Sequence, residues 1–130
     1  EISYETLEFL GDSILGAIGA GDIGDHFPDT DSKNKDIDSK VIVMLAIKKA
    51  LSMKLILNNL DITLLLELPK IAEYKSIMKT NIIEVFEKAG FNMRGRDSMI
   101  NIKASTSESL GFIGKGEGVT CYCMTCLKDC

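Results

Sequence analysis

Apolar residues recur three and four positions apart in three stretches of the chain, a spacing typical of amphipathic helices. The first predicted helix covers residues 4–20, the second begins at a cap on Asp38 or Ser39, and the third covers residues 72–89 with Gly90 as its C-cap. The predicted buried faces are Leu7, Leu10, Ile14, Leu15 and Ile18 in the first helix, Val41, Met44, Leu45, Ile47, Ala50 and Leu51 in the second, and Ile77, Met78, Ile82, Ile83 and Phe86 in the third.

Three further segments predict strands that alternate with the helices. Residues 60–68 are almost wholly apolar, as in a strand covered on both faces, and Pro69 ends them. Residues 99–105 and 119–126 alternate between apolar and polar positions. We therefore expect one α+β domain over residues 1–130, a two-layer sandwich of a mixed sheet with helices on one face.

The charge and apolar content of the chain limit the classes of partner. Apolar residues make up 45% and charged residues 26%, as in a globular domain. The net charge is -4 and the pI is about 5.0, so the basic footprint of a nucleic-acid binder is missing. The longest apolar run, residues 41–47, is far shorter than the ~20 residues that span a bilayer. We expect neither a nucleic acid nor a membrane as a partner.

All four cysteines lie in the last ten residues, in the pattern C-x-C-x-x-C-x-x-x-C. Four thiols so close in sequence could hold a zinc ion. On a strand, however, Cys121 and Cys123 share one face and Cys126 takes the other, which is poor geometry for one tetrahedral site. We interpret the cysteines as core thiols of a terminal strand, reduced in a cytosolic or plastid-like compartment.

The stretch GDIGDHFPDTD, residues 21–31, carries four aspartates and opens a long predicted loop that extends to Ile37. Desolvated like charges repel, so these carboxylates must face water, a cation or hydroxyl groups. The segment is either a solvated turn or an aspartate set that binds a diphosphate-bound metal or substrate hydroxyls. We interpret Asp25 as a solvated charge, and His26 as a packing residue beside Phe27 rather than a ligand.

A second candidate stretch, residues 103–118, combines hydroxyl side chains, a carboxylate and a glycine-rich turn. Its three consecutive hydroxyls and Lys115 offer donors to phosphate, and Glu108 offers oxygen ligands to a metal. The order of these residues is not that of a P-loop.

The third candidate is a pair of carboxylates in the first helix. Glu8 and Asp12 are four residues apart, so a helix places both on one face, within reach of a shared cation. The alternative is a surface Glu and Asp on an amphipathic helix. Taken alone, this segment resembles the signature helix of ribonuclease III.

Three stretches carry a more extensive likeness: DSILGAIGAGDIGDHFPDTD (residues 12–31), LDITLLLELPK (residues 60–70) and INIKASTSESLGFIGKGEG (residues 100–118). In this order and at these separations they resemble the 2-C-methyl-D-erythritol 2,4-cyclodiphosphate synthase family. The loop GDIG-x-HFPDTD and the run KA-[ST]-[ST]-[ST]-E-x-LGF-x-G-[RK]-GEG are both highly specific. The match extends from about residue 12 to residue 121.

The resemblance implies an activity, its cofactors and an assembly. The 2-phosphate of a cytidine-diphosphate-linked methylerythritol attacks the β-phosphate, closes a cyclic diphosphate and expels CMP, which is a lyase reaction of non-mevalonate isoprenoid biosynthesis. Zinc and magnesium or manganese assist in the family. The family forms a homotrimer with its sites between neighbouring subunits. The implied compartment is the bacterial cytoplasm or the stroma of a plastid or apicoplast.

Carried over position by position, the resemblance also implies roles for individual residues. The implied catalytic residues are Asp12, Asp22, Thr106 and Glu108, and Glu108 is also the implied magnesium ligand. The implied substrate-binding residues are Asp22, Ile23, Gly24, Phe27, Pro28, Asp29, Thr30, Asp31, Leu66, Pro69, Lys70, Ile71, Ala72, Ser105, Thr106, Ser107, Phe112 and Lys115.

The zinc site departs from the family pattern. Family members take three zinc ligands from an Asp-x-His near the start of the chain and from a histidine on the first helix. The Asp-x-His and the opening strands have no counterpart in residues 1–130, and the histidine position falls on Glu8. We therefore expect an incomplete zinc site with Glu8 as a substitute ligand. The alternatives to an active synthase are a zinc-impaired homologue that binds cytidine diphosphate or serves as a trimeric module, and a ribonuclease III-like fragment.

Overall fold

A computed structural model describes residues 2–28, 30–31, 37–65, 75–105 and 120–130. No helix within these ranges is long and apolar enough to cross a membrane.

The three predicted helices are present. Helix α1 is Ile2–Ala17, α2 is the single turn Ile23–His26, α3 is Ser39–Ser52 and α4 is Lys75–Lys88. The side chain of Asp38 caps α3, as predicted, because it accepts a hydrogen bond from a backbone N–H of the first turn. The expectation of an uninterrupted loop from residue 21 to residue 37 is wrong at α2, where a side-chain cap makes one helical turn possible.

Three strands form the sheet in the described part of the chain: β1 (Leu55–Leu65), β2 (Ile100–Ser105) and β3 (Thr120–Asp129). Strand β1 lies in the centre, parallel to β2 and antiparallel to β3. A three-residue 3-10 turn, Asp97–Met99, leads into β2. The mixed sheet and the α+β class are therefore confirmed.

Strand β1 begins at Leu55, earlier than the predicted start at residue 60. The pairing with β3 shifts between Leu57 and Asn59, where a bulge interrupts the alternation of the strand. The two asparagines at this bulge break the apolar run in the sequence, so the pattern did not predict the first part of the strand.

The core lies between the sheet and the helices. Helix α1 packs on β3, α3 on β1 and α4 on β2. The predicted face of α1 is confirmed for Leu7, Leu10, Ile14 and Leu15, which are buried, whereas Ile18 is half-buried and lies beyond the end of the helix at Ala17. These residues meet the inner face of β1, whose fully buried side chains are Leu57, Leu60, Ile62 and Leu64.

The predicted face of α3 is partly wrong. Val41 and Leu45 are exposed, and the buried side chains are Ile42, Val43, Ala46, Ile47 and Ala50. Residues 41–47 are all apolar, so no polar position marks the solvent side, and only packing on α1 and β1 selects the buried face. In α4, likewise, Ile77 is exposed although Met78, Ile82 and Phe86 are buried.

The outer face of the sheet combines a polar network with apolar side chains. Asp61 on β1 pairs with Lys103 on β2 at 2.8 Å and accepts a 3.0 Å hydrogen bond from Asn101. The hydrogen bonds from Lys103 and Asn101 lower the pKa of the Asp61 carboxyl. On β3, Tyr122 and Met124 are 62% and 74% exposed.

The cysteines divide between the two faces of β3. Cys121 is buried, Cys123 is half-buried, and their sulfur atoms lie 3.8 Å apart on the helix side. The neighbouring Cys121 thiol and burial both raise the pKa of the Cys123 thiol. The prediction of core thiols is right for this pair and wrong for Cys126 and Cys130, which are exposed.

Candidate functional site

The chain reverses direction sharply after α1. The N–H of Ala20 donates to the carbonyl of Leu15 at 2.9 Å, and the N–H of Gly19 donates to that of Gly16 at 3.1 Å. This is the hydrogen-bond pattern of a Schellman cap, which requires a left-handed residue, and Gly19 has φ +67. The glycines of this stretch therefore end α1 and direct the chain back along it.

A reciprocal pair of aspartates then builds α2. The Asp22 side chain accepts from the Asp25 N–H at 3.0 Å, and the Asp25 side chain accepts from the Asp22 N–H at 3.1 Å. Such a capping box satisfies two N–H groups that a helix start otherwise leaves open. Asp25 is exposed but is part of this box, so its interpretation as a merely solvated charge is wrong.

Gly21 is required beside this capping box. Its φ is +81, and a Cβ at this position would overlap the Asp25 carboxylate. Both the backbone angle and the available space therefore exclude a larger residue without rearrangement.

Two side chains tie α2 to the end of α1. Asp12 Oδ1 accepts a 2.8 Å hydrogen bond from the N–H of Ile23, the first residue of α2. At the other end of the turn, the Nε2 atom of His26 lies 2.7 Å from the carbonyl oxygen of Ala20. Asp12 and His26 are both half-buried. The position of the turn is therefore set by hydrogen bonds to residues outside it, and not only by local backbone preference.

A cavity of about 350 Å³ lies between α1, α2 and the start of α3. Its lining combines two carboxylates with apolar side chains and the backbone of α2. The lining residues are Glu8, Phe9, Asp12, Ile23, Gly24, Phe27, Ile37 and Ile42. A polar ligand with an apolar carbon skeleton matches this mixed surface.

Gly11 lies where α1, α3 and α2 meet. A Cβ at Gly11 would lie 3.4 Å from Ile42, 3.7 Å from Val43 and 3.8 Å from Ile23. Gly11 itself is buried. The three distances are ordinary van der Waals distances, so a methyl group at this position would fit between α1, α3 and α2.

Glu8 and Asp12 lie on one side of α1, as predicted, and both line this cavity, but Glu8 has a protein partner. Ser39, which is buried, donates its hydroxyl to Glu8 Oε1 at 3.4 Å. Across the described residues, no group of three or more His, Cys, Asp or Glu side chains is arranged to hold a metal ion. Zinc in proteins favours three or four nitrogen and sulfur ligands, so the described residues do not fit a zinc ion at Glu8.

The structure brings part of the predicted site together. Asp12, Ile23, Gly24 and Phe27 line the cavity with Glu8. Other predicted residues are described but do not line it: Asp22 is the exposed N-cap of α2, Pro28 and Thr30 are exposed, Asp31 is half-buried, and Ser105 is the exposed last residue of β2. Eleven predicted residues lie outside the described ranges: Asp29, Leu66, Pro69, Lys70, Ile71, Ala72, Thr106, Ser107, Glu108, Phe112 and Lys115.

Sequence reasoning missed several residues at this site. Phe9 and Ile42 line the cavity, but neither belongs to a predicted buried face. Phe9 is 47% exposed, and an apolar residue lying off the buried face of an amphipathic helix is the signal that could have identified it. Ser39 could not have been identified, since its partner Glu8 lies on another helix, and nothing in the sequence marks Ala20, six residues away, as the partner of His26.

The chain is similar to known proteins in both sequence and structure. The model of the YgbB family matches residues 6–128. The Campylobacter concisus protein named bifunctional enzyme IspD/IspF is 43% identical over 122 residues, which are 94% of this chain and 31% of that protein. The 2-C-methyl-D-erythritol 2,4-cyclodiphosphate synthase of Psychrobacter cryohalolentis is 42% identical over 113 residues, 87% of this chain and 63% of that protein.

Solved structures have the same fold. The bifunctional IspDF of Campylobacter jejuni matches with a TM-score of 0.82 and 36% identity, covering 95% of this chain and 32% of that one. The CDP complex of IspF from Plasmodium falciparum matches with a TM-score of 0.78 and 28% identity, covering 95% and 69%. The chain thus spans about a third of the bifunctional relatives and about two thirds of the others.

Proposed function

Because the chain belongs to the YgbB family, we propose that it converts 4-diphosphocytidyl-2-C-methyl-D-erythritol 2-phosphate to 2-C-methyl-D-erythritol 2,4-cyclodiphosphate and CMP. The observation that carries this proposal is the α2 turn. Asp22, Ile23 and Gly24 are the residues whose motif assigns them to the methylerythritol part, and two of them line the 350 Å³ cavity. The reaction is the lyase step of non-mevalonate isoprenoid biosynthesis, in a bacterial cytoplasm or the stroma of a plastid or apicoplast.

The reaction needs alignment more than proton transfer. An oxygen of the 2-phosphate forms a bond to the β-phosphorus, and the bond from that phosphorus to the bridging oxygen of CMP breaks. Since a phosphate oxygen is already a nucleophile, the main task of the protein is to hold the two phosphates close and in line. In this proposal the Asp22 carboxylate accepts hydrogen bonds from hydroxyls of the sugar alcohol, and Phe27 contacts its carbon skeleton.

Asp12 supports this arrangement through Ile23. Its Oδ1 atom accepts from the Ile23 N–H at 2.8 Å, so it holds the turn that presents Asp22. Asp12 also lines the cavity. The proposal therefore gives Asp12 a positioning role beside the catalytic role expected from the motif.

Divalent metals belong to the proposal on the strength of the motif. Zinc, magnesium or manganese would neutralise the negative charge that gathers between the phosphates. Glu108, the proposed magnesium ligand, lies outside the described residues. Glu8 accepts from Ser39, and the described part of the chain has no group of three or more His, Cys, Asp or Glu side chains that could hold a metal ion, so no step is assigned to zinc here.

The proposal includes a homotrimer with the nucleotide side of each site on the neighbouring subunit. The exposed apolar side chains of β3, Tyr122 and Met124, support it, because they lie on the face of the sheet that the helices leave uncovered. Exposed tyrosine and methionine side chains of this kind are enriched in protein–protein interfaces. The CDP bound to the Plasmodium falciparum protein supports a cytidine diphosphate ligand.

The test is CMP release from the cytidine-linked substrate by the purified protein. The reaction is run with magnesium, with and without added zinc, on the native chain and on Asp22→Asn. We expect Asp22→Asn to lower the rate at least tenfold, about 1.4 kcal/mol, because a charge-assisted hydrogen bond to the substrate is lost. Asp97→Asn is the matched control, since Asp97 is exposed and belongs to the 3-10 turn before β2.

The outcomes separate the remaining functions. CDP binding without CMP release would favour the zinc-impaired homologue, whose supporting observation is the Glu8–Ser39 hydrogen bond. A rate equal to that of an intact family member would exclude that homologue. The family match over residues 6–128 favours the synthase over the ribonuclease III-like fragment, which requires magnesium-dependent cleavage of duplex RNA.

A further inference from the structure

His26 makes a contact that the proposed reaction does not use. It is the last residue of α2, it is half-buried, and its Nε2 atom lies 2.7 Å from the carbonyl oxygen of Ala20. We propose that His26 is a positioning residue. Through this hydrogen bond it holds α2 and its N-cap residue Asp22 in the orientation that binds substrate. This inference rests on the function proposed above.

The direction of the hydrogen bond follows from its chemistry. A backbone carbonyl can only accept, so Nε2 must carry the proton and donate it. The ring is therefore either the neutral Nε2–H tautomer or the doubly protonated form, and both make the same bond. Because Nε2 is engaged in this way, it is not available to bind a metal.

The turn needs this support because it is too short to be stable alone. A helix of four residues lies far below the length at which isolated helices form, since nucleation is unfavourable. The segment between α1 and α2 includes Gly21 with φ +81, and glycine loses more conformational freedom on folding than any other residue. The capping box orders the turn internally but does not attach it to the rest of the protein.

Attachment comes from two points at opposite ends of the turn. Asp12 holds the N–H of Ile23 at the beginning of α2, and His26 holds Ala20 from its end. With both bonds in place, Asp22 has one position relative to the cavity. Without His26, the turn keeps the Asp12 hydrogen bond and the packing of Ile23 at its beginning, and its end can move relative to them.

The expected effect is a loss of affinity for the substrate. If only a fraction of molecules holds the competent turn, the apparent dissociation constant rises by the inverse of that fraction. One partly exposed hydrogen bond makes that change roughly threefold to tenfold. Bound substrate restores the turn, so KM should rise by this factor while kcat changes less than twofold.

Three variants of the purified full chain test this inference. His26→Ala removes the bond. His26→Gln restores a donor, because its amide nitrogen is as many bonds from Cα as Nε2. Thr80→Ala is the matched control, since it removes an exposed side-chain-to-backbone hydrogen bond of 2.9 Å on α4. We expect KM to rise only in His26→Ala and the unfolding temperature to be similar in all three.

A second measurement does not depend on the activity. Nitrogen-15 NMR of the imidazole should show a proton on Nε2, and amide exchange at residues 23–25 should be at least threefold faster in His26→Ala than in the native chain. If the native chain releases no CMP, the proposed function fails and this measurement still decides the role of His26. An unchanged exchange rate, or a loss of kcat and stability without a change in KM, would overturn the inference.

Discussion

Replacement of Asp12 by asparagine and by alanine separates a positioning role from a direct chemical one. Asp12 Oδ1 accepts the Ile23 N–H at 2.8 Å, and the residue is half-buried at the junction of α1 and α2. Asparagine keeps an oxygen at this place but loses the charge. Alanine removes the acceptor and leaves the N–H of Ile23 without its partner.

The two variants should lose different amounts of unfolding free energy. A hydrogen bond to a charged group contributes about 1.5–3 kcal/mol and a neutral one about 0.5–1.5 kcal/mol. We therefore expect Asp12→Asn to lose about 1 kcal/mol of unfolding free energy and Asp12→Ala about 2 kcal/mol. For a domain of this size, these losses correspond to roughly 4 °C and 8 °C in the unfolding temperature.

Circular dichroism and CMP release, measured at one protein concentration, provide the assay. If Asp12 acts through Ile23, kcat/KM should fall less than tenfold in Asp12→Asn and more than tenfold in Asp12→Ala, in the same order as stability. Asp97→Asn controls for the loss of one negative charge. If both Asp12 variants are fully folded and equally inactive, the positioning role is refuted. The negative charge of Asp12 would then take part in the reaction itself.

Three further outcomes follow from the structure. Gly21→Ala should lower stability by about 1–2 kcal/mol, measured by chemical unfolding, because φ is +81 and the new Cβ meets the Asp25 carboxylate; an unchanged midpoint would contradict that geometry. Phe86→Ala should cost about 3–5 kcal/mol, since Phe86 is 1% exposed in the core, and a loss below 1 kcal/mol would show that the core is assigned wrongly. Lys103 holds the pKa of Asp61 below 3.8, so the native carboxylate stabilises the fold above that pH. This contribution should disappear as the pH falls through and below 3.8, and acid unfolding curves of Asp61→Asn should lack that component.

The buried face of a helix or strand could be predicted where polar residues mark its other face. In α1, polar residues separate Leu7, Leu10 and Ile14, so the sequence marks the buried side without ambiguity. In α3 it does not, because residues 41–47 are all apolar. The choice between Ile42 and Val41 as a core residue depends on which side meets α1.

The candidate site likewise contains residues that the sequence predicts and residues that it does not. The motif predicts Asp22, Ile23 and Gly24 as binding residues because the residue types of such a loop stand next to each other in sequence. It did not identify Ser39 as the partner of Glu8, which is 31 positions away. Nor did it show that Asp25 is part of a capping box with Asp22 and not only a solvated charge.

The sequence by itself determined the α+β class, the family and the identity of the loop that carries Asp22. These follow from local information, namely hydrophobic period, turn residues and an uninterrupted motif. Only the tertiary structure decided that Asp12 and His26 hold this loop from its two ends, and that Glu8 is bonded to Ser39. The physical reason is that a hydrogen bond depends on the distance between two atoms in space, and sequence patterns report only the order of residues along the chain.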